Sequence, residues 1–197
     1  MRRLDEYAPM SPSSQAFLVL QLRASGEPLL PNLKSLTLTD IPEDIVPFIP
    51  LFLSPRTTSI DLGFGLDFPE MVAASVVTTL PTLCPNLQSI SIDSMPIGLT
   101  ITTAVSEFLL VTNRNTLQEF NVCSPLTEEA SQVVFKLPGL RELRVRIDRP
   151  GSLPTLVLPN LTEIGLVYDH DHGWLQGFRG ATLGKLASLN RGLPRSI

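Results

Sequence analysis

Six segments that share the pattern apolar-x-x-apolar-x-apolar decide the fold: PNLKSLTL (31–38), RTTSIDL (56–62), PNLQSISI (85–92), NTLQEFNV (115–122), PGLRELRV (138–145) and PNLTEIGL (159–166). A fainter seventh copy, GKLASLN, covers residues 184–190. The first positions of the copies follow each other at intervals of 21 to 30 residues, and Thr57 stands where the other copies have leucine. Repetition at this period is typical of proteins built from stacked, similar units.

Each copy predicts a β-strand, because its last two apolar residues alternate with polar ones and so share a face. Between the copies, apolar residues recur at helical spacing. The predicted buried faces are Phe68, Met71, Val72, Val76, Leu80 and Leu83; then Ile101, Val105, Phe108 and Leu109; then Leu126, Ala130, Val133, Val134 and Leu137. Pro47 and Pro50 predict a short or kinked helix near residues 44–53.

Polar residues mark where two of these helices are expected to begin. Asp67 and Glu70 have the spacing of a capping box. Ser124 is the expected N-cap of the third helix, with Pro125 at its first position. The acidic residues of its first turn, at 128 and 129, would lie at the positive end of the helix dipole.

One strand and one helix per unit predict an α/β fold, a leucine-rich-repeat solenoid of about six to seven irregular repeats. Its curved parallel sheet would lie inside and its helices outside. The repeat domain is expected over residues 28–197, and residues 1–27 form an N-terminal cap or the remnant of a preceding repeat. Such repeats commonly carry Asn or Cys three residues past the last apolar residue of the strand pattern. This chain has other residues there, so irregular turns are expected.

Longer segments point to a family. PNLKSLTLTDIPEDIVPFIPLFLSPRTTSI, TTLPTLCPNLQSISI, LLVTNRNTLQEF and LTEEASQVVFKLPGLREL resemble the leucine-rich region of the F-box proteins of mushroom-forming fungi. The resemblance covers roughly residues 28–186. In that family an N-terminal F-box docks the ubiquitin-ligase adaptor, and the repeats recruit a target. No F-box-like LPxEIL pattern precedes Leu33. The resemblance therefore implies the target-recruiting region, which would meet the adaptor only if an F-box lies upstream.

Composition excludes several functional classes. Of 197 residues, 43% are hydrophobic and the net charge is −4, which suits a folded chain and gives no basic patch for nucleic acid. No apolar run approaches the length of a membrane span, and no secretory signal is recognisable. Two cysteines, Cys84 and Cys123, suit a reducing compartment, so a cytoplasmic or nuclear location is expected.

Three groups of residues could carry chemistry, and each favours a plainer interpretation. The segment 169–172, Asp-His-Asp-His, could hold a metal through His170 and His172, but a solvated turn is favoured because no third ligand lies nearby. The segment 63–65, Gly-Phe-Gly, resembles a phosphate loop but precedes acidic residues. Both cysteines are expected to pack as small apolar residues. We therefore expect that the chain is not an enzyme and that it uses no cofactor or metal.

The candidate site is the concave face, formed by residues that alternate with the buried ones. An unknown target protein is expected to bind there, since small residues allow close approach and arginine is frequent at interfaces. The candidate residues are Ser35, Thr37, Thr39, Ser59, Asp61, Ser89, Ser91, Asp93, Glu119, Asn121, Glu142, Arg144, Arg146 and Glu163. The chain is thus predicted to be a non-catalytic protein-interaction module recruiting a ligase target; a stand-alone repeat adaptor or inhibitor is the alternative.

Overall fold

A computed structural model describes residues 27–65, 68–93, 98–112, 115–147, 157–168, 182–183 and 188–192, together with residues 16 and 20. Nearly all of the expected N-terminal cap, and the Asp-His-Asp-His segment at 169–172, lie outside these residues. No helix of the described part is long and apolar enough to cross a membrane.

The chain is an α/β protein built on a parallel sheet. Its strands are β1 (Ser35–Leu38), β2 (Ser59–Gly63), β3 (Ser89–Asp93), β4 (Glu119–Pro125), β5 (Glu142–Ile147), β7 (Glu163–Tyr168) and β9 (Ser188–Gly192), and they follow each other in the order of the chain. A separate parallel pair joins β6 (Val157–Leu158) to β8 (Thr182–Leu183). Each of the seven sequence copies contributes one strand to the large sheet, which confirms the predicted strands.

Helices follow the first strands and form a layer on one face of the sheet. They are a 3₁₀ helix (Glu43–Leu51) after β1, α1 (Glu70–Leu83) after β2, α2 (Leu99–Val111) after β3 and α3 (Glu128–Val134) after β4. Successive helices pack side by side. Pro47 and Pro50 both lie inside the 3₁₀ helix. Because proline lacks an N–H donor and clashes with the preceding turn, this connection stays short, as predicted.

The core lies between the sheet and the helix layer. The pattern's strand leucines, isoleucines and phenylalanine stand side by side in register: Leu36, Ile60, Ile90, Phe120, Leu143 and Ile164. All of them are buried. The ring of Phe120 stacks on Phe108 of α2, with 6.4 Å between ring centroids and 19° between planes. The predicted inward and outward phases of the strands are therefore confirmed.

The helix faces follow the predictions with one exception. The four residues predicted for α2 are buried, and in the third set Ala130, Val134 and Leu137 are buried. Met71 was predicted to be buried but is 69% exposed. The residues that α1 turns inward include Ala73 and Val77, which the sequence-based face left out. The buried stripe of α1 runs through Ala73, Val77 and Leu80 at helical spacing, and residue 71 lies on the other side of the helix from residue 73, which leaves Met71 exposed.

Main-chain hydrogen bonds link the turns that follow the strands. The N–H of Ile41 donates to the carbonyl of Gly63 at 3.2 Å, and the N–H of Phe64 donates to the carbonyl of Asp93 at 3.3 Å. Ile41 itself is buried where such repeats commonly carry asparagine. The expected irregularity is present, since the register between β4 and β5 shifts between Val122 and Pro125.

Both predicted helix starts are wrong. Helix α1 begins at Glu70 with Pro69 as its N-cap, so Glu70 lies at the first helical position and not at the third, where a capping box needs it; Asp67 itself lies outside the described residues. Helix α3 begins at Glu128, and the hydroxyl of Thr127 accepts a hydrogen bond from the N–H of Ala130 at 3.3 Å. Ser124 and Pro125 belong instead to β4, because the strand extends further than the repeat pattern indicates.

Glu70 caps the helix of the next unit. Its carboxylate accepts a hydrogen bond from the N–H of Ile101, in the first turn of α2, at 2.8 Å. The N-cap of α2 is Gly98, which has no side chain to do this, and a Cβ at residue 98 would overlap the Glu70 carboxylate. An anion at this end of a helix is favoured by its orphan N–H groups and by its dipole.

We expect Glu70→Ala to lower the free energy of unfolding by about 1 kcal/mol, the usual loss when a helix cap is removed. Glu70→Gln keeps an accepting oxygen and should lose less. Glu107→Ala removes an exposed carboxylate from α2 and serves as the control in urea denaturation. If Glu70→Ala and Glu107→Ala lowered the free energy of unfolding equally, the proposal that Glu70 caps α2 would be contradicted.

Candidate functional site

The sheet face opposite the helix layer, here called the open face, carries the candidate residues. Those that lie within strands alternate with the buried core residues, and all are half-buried or exposed. Thr39 is exposed and lies one residue beyond the end of β1. The structure therefore brings the predicted set onto one surface.

Strand register arranges the open face in rows that cross the sheet. The first row runs Ser35, Ser59, Ser89, Glu119, Glu142 and Glu163, and the second runs Thr37, Asp61, Ser91, Asn121, Arg144 and Gly165. Strands β1–β3 thus present small hydroxyl and acidic groups, here called the hydroxyl half. Strands β4, β5 and β7 present mainly carboxylates and arginines, here called the charged half. Aligning the copies in phase would have shown these rows from the sequence.

Three glutamates lie side by side in the charged half. Glu119, Glu142 and Glu163 are register partners on neighbouring strands, which lie about 4.8 Å apart in a sheet. Partial burial raises the pKa of Glu142, and the negative charges of Glu119 and Glu163 raise it further. The nearby Arg144 guanidinium lowers this pKa by less than the two carboxylates raise it. Repulsion along the row is therefore incompletely neutralised.

A small depression adjoins this row. It has a volume of about 30 Å³ and is lined by Asn121, Glu142, Leu143, Arg144, Glu163 and Gly165. A Cβ at residue 165 would lie 3.1 Å from both Cγ and Nε of Arg144, so the absent side chain leaves room for Arg144 to lie across β7. This role of Gly165 could not be predicted from the sequence, because it depends on which strand lies beside β5.

The residues considered above for catalysis, phosphate binding or metal binding have plainer, structural roles where they are described. Cys84 is fully buried, and burial raises the pKa of its thiol to about 11, so it is protonated at neutral pH and packs as predicted. Phe64, between the two glycines at 63 and 65, is buried against Phe68 with ring centroids 5.0 Å apart. Within the described ranges, no three His, Cys, Asp or Glu side chains are grouped to hold a metal.

The helix layer carries a second surface feature. A groove of about 440 Å³ runs between α1 and α2 and is lined mainly by small residues. Met71 and Leu99 lie along it, and Leu99 is 81% exposed. Exposed apolar residues beside a groove can form a contact surface. This groove is therefore the second surface at which a partner could bind, and it serves below as the control for the open face.

Comparisons of the chain with protein-family models, with curated proteins and with solved structures give no match. The candidate site consequently rests on the geometry of the chain itself.

We expect Glu142→Gln to raise the free energy of unfolding at pH 7 by less than about 1 kcal/mol, because it removes two like-charge contacts across strands. A carboxyl with a higher pKa in the folded than in the unfolded chain destabilises the fold when ionised. That destabilisation disappears as the pH falls through the raised pKa, so the advantage of the variant should fade on acidification. Chemical denaturation at several pH values measures the difference in stability between the variant and the wild type. A difference that grows on acidification would contradict the repulsion among the three glutamates.

Proposed function

We propose that the chain is a leucine-rich-repeat solenoid whose open face binds a partner protein, without a catalytic role. One observation carries the proposal: seven parallel strands lie in register with helices on one face, while the other face displays rows of polar side chains. The helix layer covers only the sheet face that carries the apolar side chains. The open face is thus a broad polar surface of the kind that stacked-repeat proteins use for binding.

The assignment to stacked repeats is supported by features that recur from one strand to the next. In β2, β3, β4 and β5 the last two apolar positions of the pattern are both buried, and the strands of successive units stack in chain order. Equivalent main-chain bonds recur between neighbours: the N–H groups of Ser59, Ser89, Glu119, Glu142 and Glu163 each donate to the carbonyl that lies just before the preceding strand. Each unit buries its apolar face only against its neighbours, which is the physical basis of a solenoid.

The resemblance to fungal F-box proteins supports a narrower proposal, that the open face recruits the target of a ubiquitin ligase. A ligase adaptor would then be a further partner, reached through an F-box upstream of the repeats. The alternative is a stand-alone adaptor or inhibitor that binds its partner with no ligase link. Both proposals use the same open face, and they differ in whether a ligase adaptor accompanies the partner.

Quantitative mass spectrometry of proteins that copurify with the tagged chain tests the proposal. The open-face variant combines Asp61→Arg with Arg144→Glu, which reverses two charges in the second row and leaves the net charge at −4. The matched control combines Met71→Ser with Leu99→Ser in the helix groove. We expect the open-face variant alone to lose its partners.

Loss of partners from the helix-groove variant instead would place binding on the other side of the molecule and contradict the proposal. A ligase adaptor among the proteins that remain with the open-face variant would support the recruiting role. Open-face partners without any ligase component would favour the stand-alone adaptor.

A further inference from the structure

The outer surface of helices α1 and α2 carries almost no charge. Neither helix contains a lysine or an arginine. Within these two helices, which the structure describes throughout, Glu107 is the only exposed residue that carries a charge. The exposed residues are Met71, Ser75, Thr78, Thr79, Thr82, Leu99, Thr103, Glu107 and Val111. A helix that faces water usually carries charged side chains on its outer face, so this composition is that of a contact surface.

The exposed residues of α2 form a single stripe, here called the α2 stripe. Leu99, Thr103, Glu107 and Val111 recur every four residues and therefore follow each other along one side of the helix. Leu99 is 81% exposed and Val111 is 72% exposed. The α2 stripe thus has a large apolar side chain at each end, with a hydroxyl and a carboxylate between them.

The order of residues in the α2 stripe is self-complementary when two copies of the helix run antiparallel. In a two-fold dimer the same surface of both copies meets, so each residue must suit the residue that the symmetry places opposite it. With the two-fold axis at the middle of α2, Leu99 of one copy lies opposite Val111 of the other. Thr103 then lies opposite Glu107, so each carboxylate meets a neutral side chain. Parallel helices would instead place the two Glu107 carboxylates together, which is unfavourable.

The groove between α1 and α2 leaves room for a second copy to approach. Its volume is about 440 Å³, and small residues of α1 line one side of it: Ala74, Ser75 and Thr78. Met71 and Leu99 both line the groove and lie in the first turns of their helices. Val111 of a second copy would therefore cover two exposed apolar side chains at this end of the groove. Removing such surface from water favours association.

We propose that the α2 stripe and the adjoining groove join two copies of this chain as a two-fold dimer, with antiparallel α2 helices at its centre. The matching of apolar to apolar and of charged to neutral residues along the α2 stripe identifies a second copy as the occupant. The open face lies on the opposite side of the sheet, so each copy keeps it free. The inference goes beyond the proposed function and does not depend on it.

Sedimentation equilibrium of the purified full chain tests the inference. Because the two-fold axis repeats each contact, Thr103→Glu places two like-charge pairs in the interface, and Thr103→Lys places two opposite-charge pairs there. Both variants put a better helix former at an exposed position, so both should fold. Gln88→Glu and Gln88→Lys make the same changes in charge at an exposed residue just before β3 and serve as controls.

We expect the wild type to dimerise, Thr103→Glu to raise the dissociation constant of the dimer about tenfold and Thr103→Lys to lower it about threefold. The two Gln88 variants should stay within about twofold of the wild type. A wild type that remains monomeric at about 100 μM would overturn the inference. Equal effects of glutamate and lysine at residue 103, or effects no larger than those at residue 88, would also overturn it, because the copies would then not meet in this register.

The dimer and the proposed function fail separately. The helix-groove variant, Met71→Ser with Leu99→Ser, should be monomeric and still keep its copurified partners. A monomeric wild type whose partners depend on Asp61 and Arg144 would remove the dimer and leave the proposed function. A dimer that responds to residue 103 as expected, together with an open-face variant that keeps its partners, would retain the dimer and contradict the proposed function.

Discussion

Leu143→Ala is expected to lower the free energy of unfolding by about 2–5 kcal/mol, among the largest effects available from one substitution in this chain. Leu143 is 1% exposed and lies in β5, an interior strand with a neighbour on each side. Its register partners, Phe120 and Ile164, are both fully buried. Truncation leaves a cavity between rigid neighbours that cannot close, so the chain loses both the transfer energy and the packing of the removed atoms.

Arg144→Ala is the matched control, because it changes the next residue of the same strand on the opposite face. It should leave the thermal midpoint almost unchanged while weakening partner binding. Thermal and urea denaturation of both variants measure the contrast. A greater loss of stability for Arg144→Ala than for Leu143→Ala would mean that the two faces of the sheet are assigned the wrong way round.

Thr57→Leu is expected to lower the free energy of unfolding by roughly 2–4 kcal/mol, although it restores leucine at the first position of the repeat. Thr57 is fully buried, and its hydroxyl accepts a hydrogen bond from the N–H of Ser54 at 3.2 Å and donates to the carbonyl of Leu33 at 3.1 Å. Leucine would leave these two main-chain groups without a partner and would crowd a space fitted to a smaller side chain.

Two further variants separate these causes. Thr57→Val keeps the shape and removes the hydroxyl, so it should lose about 1–3 kcal/mol. Thr57→Ser keeps the hydroxyl and removes one methyl group, which is worth about 0.8 kcal/mol. Urea denaturation should therefore rank Ser above Val and Val above Leu. A Thr57→Leu variant more stable than the wild type would show that the repeat pattern outweighs the hydrogen bonds.

The strands could be predicted from the sequence because a two-residue period fixes which side chains share a face. Leu143 and Arg144 were assigned to opposite faces on that ground alone, and the structure places them so. Prediction failed where a residue acts on another unit. Glu70 was expected to close a box at the start of its own helix, whereas its carboxylate caps α2. Such contacts depend on how neighbouring helices stack, which spacing along the chain does not encode.

For the open face, too, the sequence predicts which residues belong to it but not the contacts that each of them makes. Its members followed from alternation, but the environment of each member depends on the adjoining strand. The role of Gly165 depends on Arg144 of β5. The raised pKa of Glu142 depends on its burial in the sheet and, after that, on carboxylates more than twenty residues away along the chain in each direction. The prediction for Met71 is wrong because apolar spacing alone allows more than one rotation of α1, and the structure turns Ala73 and Val77 inward.

The in-phase register of the strands has a consequence for how this surface can change over evolution. Along each strand, one set of positions packs the core and the other set faces outward, so the two sets can vary independently. Each unit contributes one residue to each row. Mutation in a single unit can therefore alter one point of the surface, and so its specificity, without disturbing the positions that maintain the fold.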